Sequence, residues 1–221
     1  MSDRPGIDYS RFDAACRRRA TDLGNFRTDA AVAQIVENVP DEVGRAYAEA
    51  VRRCFPDRWG DVHRLLNDRQ GCPPMLEVDG TLLAPATWRY AFRALELHSM
   101  FGREPDPYRS RLEVAEVGGG YGGLAAAASI LHAGCYHWVI YDAREPAMLQ
   151  SAYMNRLRID HVYPVSEPIL AMAGRDIFVS DYALSEMTVE QRATYEDAVA
   201  GSKSGSVIWN ESAGMTVAEG R

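Results

Sequence analysis

Leu112-Glu113-Val114-Ala115-Glu116-Val117-Gly118-Gly119-Gly120-Tyr121-Gly122 is the stretch whose reading decides the fold. It is a short hydrophobic strand that ends in an acidic residue and runs straight into a glycine turn. Glycines at 118, 120 and 122 permit positive φ angles and let the backbone approach a ligand with no Cβ in the way. The residues that follow, Gly123 to about Ala133, are rich in strong helix formers, and such a helix aims its first amides back at the turn. Strand, glycine turn and helix together make a nucleotide seat.

Two cofactor classes use this seat. Gly118, Gly120 and Gly123 satisfy the dinucleotide spacing G-x-G-x-x-G, so a nicotinamide-dependent oxidoreductase is one reading. Glu116 favours the other. A carboxylate at the end of the strand suits an α-ammonium group, whereas a pyrophosphate is better served by an apolar residue there. S-adenosylmethionine carries the ammonium and no phosphate, and is the expected cofactor, with Glu116, Gly118, Gly120, Tyr121 and Gly122 forming its seat.

The second strand supports nucleoside binding without separating the classes. His137-Trp138-Val139-Ile140-Tyr141 is apolar and β-prone, and Asp142 closes it 20 residues past Gly122. An acid at about that distance from the glycines is placed to accept from a ribose diol. The alternative is that Asp142 caps the helix beginning near Glu145 and Pro146.

Working outward, residues 1 to about 104 read as mostly helical, with expected helices at Tyr9 to Leu23, Thr28 to Glu37, Asp41 to Cys54, near Asp61 to Leu66, and Ala86 to Phe101. Asp41 after Pro40 is a start signal and Gly102 a stop. Val78-Asp79-Gly80 predicts a hairpin tip between residues 75–78 and 81–83. Pro105-Asp106-Pro107 separates this region from β-rich runs at 112–117, 137–141, 161–165, 176–180 and 206–210 that alternate with helical stretches. Strands alternating with helices imply an α/β fold whose parallel sheet is covered on both faces. The expected organisation is an N-terminal helical lid or oligomerisation region, 1–104, and a cofactor domain, 105–221; the resemblance given below implies that the latter is Rossmann-like, with strand order 3-2-1-4-5.

Composition narrows the function classes. The chain has 221 residues, 47% hydrophobic and 25% charged, which is enough for a full core. A net charge of −7 gives no global basic field to attract nucleic acid. Arg17-Arg18-Arg19 is the densest basic run, either a local basic patch or a solvated helix face. Cys16, Cys54, Cys72 and Cys135 lie far apart, as expected of reduced thiols rather than a zinc site or a disulfide frame. The longest near-apolar stretch, around Leu124 to Ala133, is too short to span a bilayer. The expectation is a cytoplasmic protein acting on a small molecule, with no nucleic-acid or membrane partner.

Glu-Val-Gly-Gly-Gly-Tyr-Gly-Gly-Leu-Ala (116 to 125), Tyr-Asp-x-x-Glu-Pro-x-x-x-Gln (141 to 150) and Asp-Tyr-Ala-Leu-Ser-Glu-Met (181 to 187) together resemble a family of sugar O-methyltransferases within the large S-adenosylmethionine-binding class. The resemblance covers about residues 85 to 210. It implies methyl transfer to a hydroxyl of a sugar or another polar small metabolite. Members tend to have asparagine where Ser180 stands and serine where Ala183 stands, so the chain departs at two places beside the expected active centre. The segment before the first strand often covers the cofactor in this class. Trp88, Phe92 and Leu95 form one stripe of an ordinary amphipathic helix there, with Arg89, Arg93 and Glu96 on a neighbouring face. The functional reading of that segment sets Arg89 against the cofactor's carboxylate.

Open α/β sheets bind ligands at the carboxyl ends of their strands. There, Ser180 closes the fourth strand and is counted with the cofactor-binding residues. Thr188-Val189-Glu190-Gln191 reads as a capping box, which leaves Asp181 to Met187 as a loop facing the methyl group, with Tyr182 as a wall. An alcohol acceptor needs a base, and Glu186 and Asp181 are the candidates. For Glu186, substrate hydrogen bonding and a structural role at the helix start stand beside catalysis. His98 and His161 are rival bases read more simply as structural, and two carboxylates without a third ligand are weak grounds for a metal.

The resembled fold adds a helix and an antiparallel hairpin after its fifth strand, yet only 11 residues follow Asn210. The fifth strand is then an edge carrying Val207, Ile208 and Trp209. Such an edge invites pairing, so it is expected to be covered by a partner subunit in a homo-oligomer or by the N-terminal helices, unless the chain is a fragment of a longer enzyme. The rivals to methyl transfer are the oxidoreductase and a non-catalytic assembly module that retains the fold.

Overall fold

The structure is a computed structural model that describes residues 9–65, 70–102, 110–166 and 175–208. Two elements separated by a tight turn, β1 (Leu76–Val78) and β2 (Thr81–Leu83), pair antiparallel with Val78 opposite Thr81. Asp79 and Gly80 between them both have positive φ, the geometry that a two-residue hairpin turn requires. The main sheet contains β3 (Leu112–Val117), β4 (Tyr136–Tyr141), β5 (Val162–Val165), β6 (Ile177–Asp181) and β7 (Ser204–Ile208). All its pairings are parallel, in the order β5-β4-β3-β6-β7. Numbered within the sheet this is 3-2-1-4-5, the expected Rossmann-like topology.

Alternation along each strand divides the core. Leu112, Val114, Tyr136, Trp138, Ile140, Ile177 and Val179 face one side, while Ala115, Val117, Val139, Tyr141 and Phe178 face the other. This is the period of two that a pleated strand imposes. The first face carries α4 (Pro85–Phe101), α5 (Gly123–Leu131) and buried residues of α6 (Arg144–Leu157). On the second face lie Leu184 of α7 (Ala183–Glu186) and Tyr195 of α8 (Val189–Gly201). Thr188 and Gln191 form the capping box that starts α8, each side chain accepting from the other's backbone N–H.

The N-terminal helices are α1 (Tyr9–Arg19), α2 (Ala30–Val36) and α3 (Asp41–Cys54). They share one continuous core with α4, α5 and the sheet. The first ends at Arg19 rather than Leu23, and the second begins at Ala30 because Asp29 caps it through Ala31 N. The piece expected near Asp61 is a 3-10 segment, Pro56–Arg64; Leu66, the 105–107 separator and the 104/105 boundary lie outside the described residues. Arg17 and Arg18 of the basic run are exposed, as a solvated helix face requires, and all three arginines are also paired. Arg17 pairs with Glu145 at 2.5 Å, and Arg18 and Arg19 both pair with Asp29, at 2.7 and 3.0 Å. These pairs join α1 to α6 and to the start of α2.

The edge strand begins two residues earlier than expected, and Trp209 lies outside the described residues. Val207 is exposed. Arg93 of α4 reaches Ser206 at 3.0 Å. No described helix is long and apolar enough to cross a membrane.

Candidate active site

The glycine turn has the geometry its sequence demands. Gly118, Gly120 and Gly122 have φ of 73°, 59° and 90°. A Cβ on Gly118 would stand 2.1 Å from the Cβ of Ala183, so the turn after β3 and the turn after β6 are packed backbone against side chain. Gly122 is the N-cap of α5.

Two contiguous cavities open on this turn. They share Ile35, Gly118, Gly120, Ala183 and Glu186. One, about 380 Å³, is bounded by Glu116, Arg89, Tyr47, Tyr90, Asp181 and Tyr182. The other, about 470 Å³, is bounded by Asp142, Ala143, Tyr195, Phe12 and Asp13. After the roles proposed for them below, the first is called the reaction lobe and the second the nucleoside lobe.

Glu116 lies at the root of the reaction lobe, 3% exposed, and its Oε2 accepts from Trp138 Nε1 at 2.8 Å. Burial first, and then the charge of Asp181, raise its pKa to about 8. A cation brought into the lobe would restore the ionised form. Asp142 sits at the other end, where Oδ1 accepts from Ala143 N at 2.9 Å and Oδ2 from Gln150 Nε2 at 2.8 Å. Burial raises its pKa to about 6, against the opposing effect of hydrogen bonds from Ala143, Gln150 and the Gly119 amide. The N-cap of α6 is Ala143, so Asp142 is not the helix cap itself. Gln150 also donates to Gly120 O at 2.9 Å. One buried amide therefore ties the acid to the glycine turn, a role that the sequence left unread although Gln150 closes the second motif.

Arg89 borders the reaction lobe with its guanidinium 5.0 Å over the Tyr90 ring and 5.9 Å from that of Tyr182. It donates to Tyr90 Oη at 3.3 Å and makes no ion pair among the described residues. Tyr182 is itself strained, with φ of 73°, a value that a bulky residue rarely adopts. Its carbonyl accepts from Ser185 N at 2.9 Å and Ser185 Oγ at 2.5 Å, and its N–H donates to Ile208 O at 2.8 Å.

Asp181 is engaged on both oxygens. Arg93 donates from Nε to Oδ2 at 3.0 Å and from Nη2 to Oδ1 at 2.8 Å, and also reaches Glu96. Arg93, expected beside Arg89 on a polar helix face, is 4% exposed. Glu186 closes α7 and borders both lobes, and its Oε2 accepts from Tyr9 Oη at 2.6 Å. The loop expected over 181–187 is mostly this short helix.

Two expected cofactor residues point elsewhere. Ser180 is fully buried on the opposite strand parity from Asp181, with Oγ donating to Val117 O and accepting from Leu184 N, both at 3.3 Å. It ties β6 to α7 and borders neither lobe. Tyr121 turns into the core, edge-on to Phe26, Tyr90 and Tyr153, and also borders neither lobe. His98 stacks on His132 at 3.7 Å and His161 bonds Asp160, both away from the lobes. Among the described residues no group of three or more His, Cys, Asp or Glu is placed to hold a metal.

No protein-family model matches the chain, and no curated protein matches it. Among solved structures it is similar to PigF with SAH, at 15% identity over 72% of this chain and 45% of that one, with a TM-score of 0.36. It is similar to a protein-L-isoaspartate O-methyltransferase at 18% identity over 58% and 38% of the two chains, TM-score 0.37. A coclaurine N-methyltransferase bound to N-methylheliamine and SAH matches at 11% identity over 89% and 56%, TM-score 0.41. The chain spans only 38% to 56% of the length of these three.

Proposed function

We propose that this chain is an S-adenosylmethionine-dependent methyltransferase acting on a hydroxyl of a sugar or another polar small metabolite. The observation that carries the reading is the position of Glu116 where the glycine turn opens into the reaction lobe, with Asp181 and Glu186 on the same walls. Glu116, Asp181 and Glu186 make the lobe acidic, with Asp181 already paired to Arg93 and Glu116 ready to ionise beside a cation, which suits an ammonium and a sulfonium and disfavours a pyrophosphate. At its far end the nucleoside lobe offers Asp142, already oriented by Gln150, to a ribose diol.

In this reading the bound cofactor would supply an activated methyl group for transfer to the acceptor oxygen. The chain's residues orient and deprotonate. Glu116 would face the ammonium and Arg89 the carboxylate of the methionine half. Glu186, reachable from both lobes, would take the acceptor's proton. Asp181 is assigned a positioning role in place of the base role, because Arg93 occupies both its oxygens. Catalysis is then mainly proximity and alignment. A homo-oligomer formed along the β7 edge belongs to the same reading, and sedimentation tests it.

The decisive screen follows labelled methyl from S-adenosylmethionine into a panel of sugars, hydroxylated metabolites and amines. Label in a hydroxyl compound supports the reading. Label confined to amines would move the acceptor class, and cofactor binding without transfer to any compound would favour an assembly module.

A further inference from the structure

The nucleoside lobe is not built by the sheet domain alone. Tyr9, Phe12 and Asp13 of α1 line it together with Tyr141, Asp142 and Ala143. Positions i, i+3 and i+4 share one face of a helix, so α1 presents a phenol, an apolar ring and a carboxylate to the same cavity. Phe12 is 5% exposed. Asp13 is half-buried and makes no hydrogen bond or ion pair among the described residues. Burial and the neighbouring Glu145 carboxylate penalise its charge, with only Arg17 opposing them. Arg17 itself is paired to Glu145 at 2.5 Å. A partly buried carboxylate on a cavity wall, with no donor among the described residues, is open to one from a bound ligand.

Resting on the methyltransferase reading, we propose that α1 is a cofactor-recognition helix, in which Asp13 joins Asp142 as a second acceptor for the hydroxyl or amino donors of the adenosine half, under the apolar cover of Phe12. Asp142 is fixed to the glycine turn by Gln150, whereas Asp13 rides on a separate helix held by ion pairs to Glu145 and Asp29. The nucleoside is thus gripped between two elements more than a hundred residues apart in sequence. The ligand class is an adenosine whose ribose is free of phosphate, because a phosphate between two carboxylates would be repelled.

The test is calorimetric titration of the full chain with S-adenosylhomocysteine and, separately, 5′-methylthioadenosine, which lacks the amino-acid half. Thermal unfolding without ligand is measured alongside. Asp13→Asn should weaken both ligands about tenfold, the free-energy scale of one hydrogen bond, while the ligand-free melting temperature stays level or rises. A purely structural Asp13 would instead lower the melting temperature, and affinity would follow it. Wild-type affinity in Asp13→Asn overturns the proposal, as does a loss for S-adenosylhomocysteine alone. Phe12→Leu, which keeps an apolar side chain, should weaken both ligands in parallel; unchanged affinity would refute its role as cover. A wild-type chain that ignores both ligands but binds a nicotinamide dinucleotide would reject the methyltransferase reading, an outcome distinct from either variant result.

Discussion

The hydroxyl of Tyr9 donates a 2.6 Å hydrogen bond to Oε2 of Glu186, joining α1 to the short helix α7 beyond β6. Glu186 borders both lobes, and Tyr9 borders the nucleoside lobe. A hydrogen bond to a charged group contributes roughly 1.5–3 kcal/mol, less where water competes. Tyr9→Phe should therefore lower stability by about 1–2 kcal/mol in urea denaturation. A variant as stable as wild type would mean that the bond does not hold α1 in place.

Glu186 has the clearest catalytic prediction. As the base for a hydroxyl acceptor, its change to Gln should reduce turnover by about 100-fold or more and leave S-adenosylhomocysteine affinity nearly unaltered. Undiminished turnover on the true acceptor would remove it from the mechanism. Loss of cofactor affinity without loss of turnover would make it a binding residue instead.

Arg93 and Asp181 test how the reaction lobe is held in shape. Their side chains are 5% and 18% exposed, and the contact is bidentate. Removing one partner of a buried pair strands the other charge and costs about 3–5 kcal/mol, whereas replacing both with apolar residues costs far less. Arg93→Met should be strongly destabilised in chemical denaturation, and Arg93→Met combined with Asp181→Leu should recover much of the loss. Additive losses in the double variant would show that the two residues act independently.

How much of this was legible in the sequence depended on range. The glycine turn, the Thr188–Gln191 box and the Asp79-Gly80 hairpin are local, each specified by the φ angles or hydrogen bonds of adjacent residues. The parallel sheet followed from short strands alternating with helices, whereas its order came from the resemblance of the three motifs. Contacts such as Arg93 with Asp181 and Tyr9 with Glu186 join residues 88 and 177 positions apart, and no periodicity encodes them. Arg93 was read only as part of a face shared with Arg89 and Glu96, because its partner Asp181 lies far away in sequence. Ser180 is different, because a signal existed: strand alternation sets 178 and 180 against 177, 179 and 181, so Ser180 and Asp181 could not both face the lobe. Tyr121 followed its motif neighbours into the expected seat, but a large ring beside a glycine turn was buried more effectively among Phe26, Tyr90 and Tyr153.

The pH dependence of folding isolates Glu116. Its pKa is raised from 4.5 to about 8 in the folded chain, chiefly by burial. The native state therefore holds the proton more tightly than the unfolded state does. This contribution to stability is full below about pH 4.5 and is lost as pH rises through 8, by at most about 1.4 kcal/mol per pH unit. Ligand-free Glu116→Gln should gain on wild type steadily from pH 5 to pH 8.5 in denaturant titrations. A pH-independent difference between the two would place the Glu116 carboxyl in a far more polar setting than its 3% exposure implies.

The central claim is that the glycine turn, Glu116 and Asp142 seat S-adenosylmethionine. Calorimetric titration of the wild-type chain and of Asp142→Ala with S-adenosylhomocysteine, beside NADH and NADPH, tests it most directly. The account predicts one S-adenosylhomocysteine per chain, no measurable dinucleotide binding, and affinity weakened in Asp142→Ala by about 1.5–3 kcal/mol. Binding of either dinucleotide in place of S-adenosylhomocysteine, or unchanged affinity in Asp142→Ala, would contradict it.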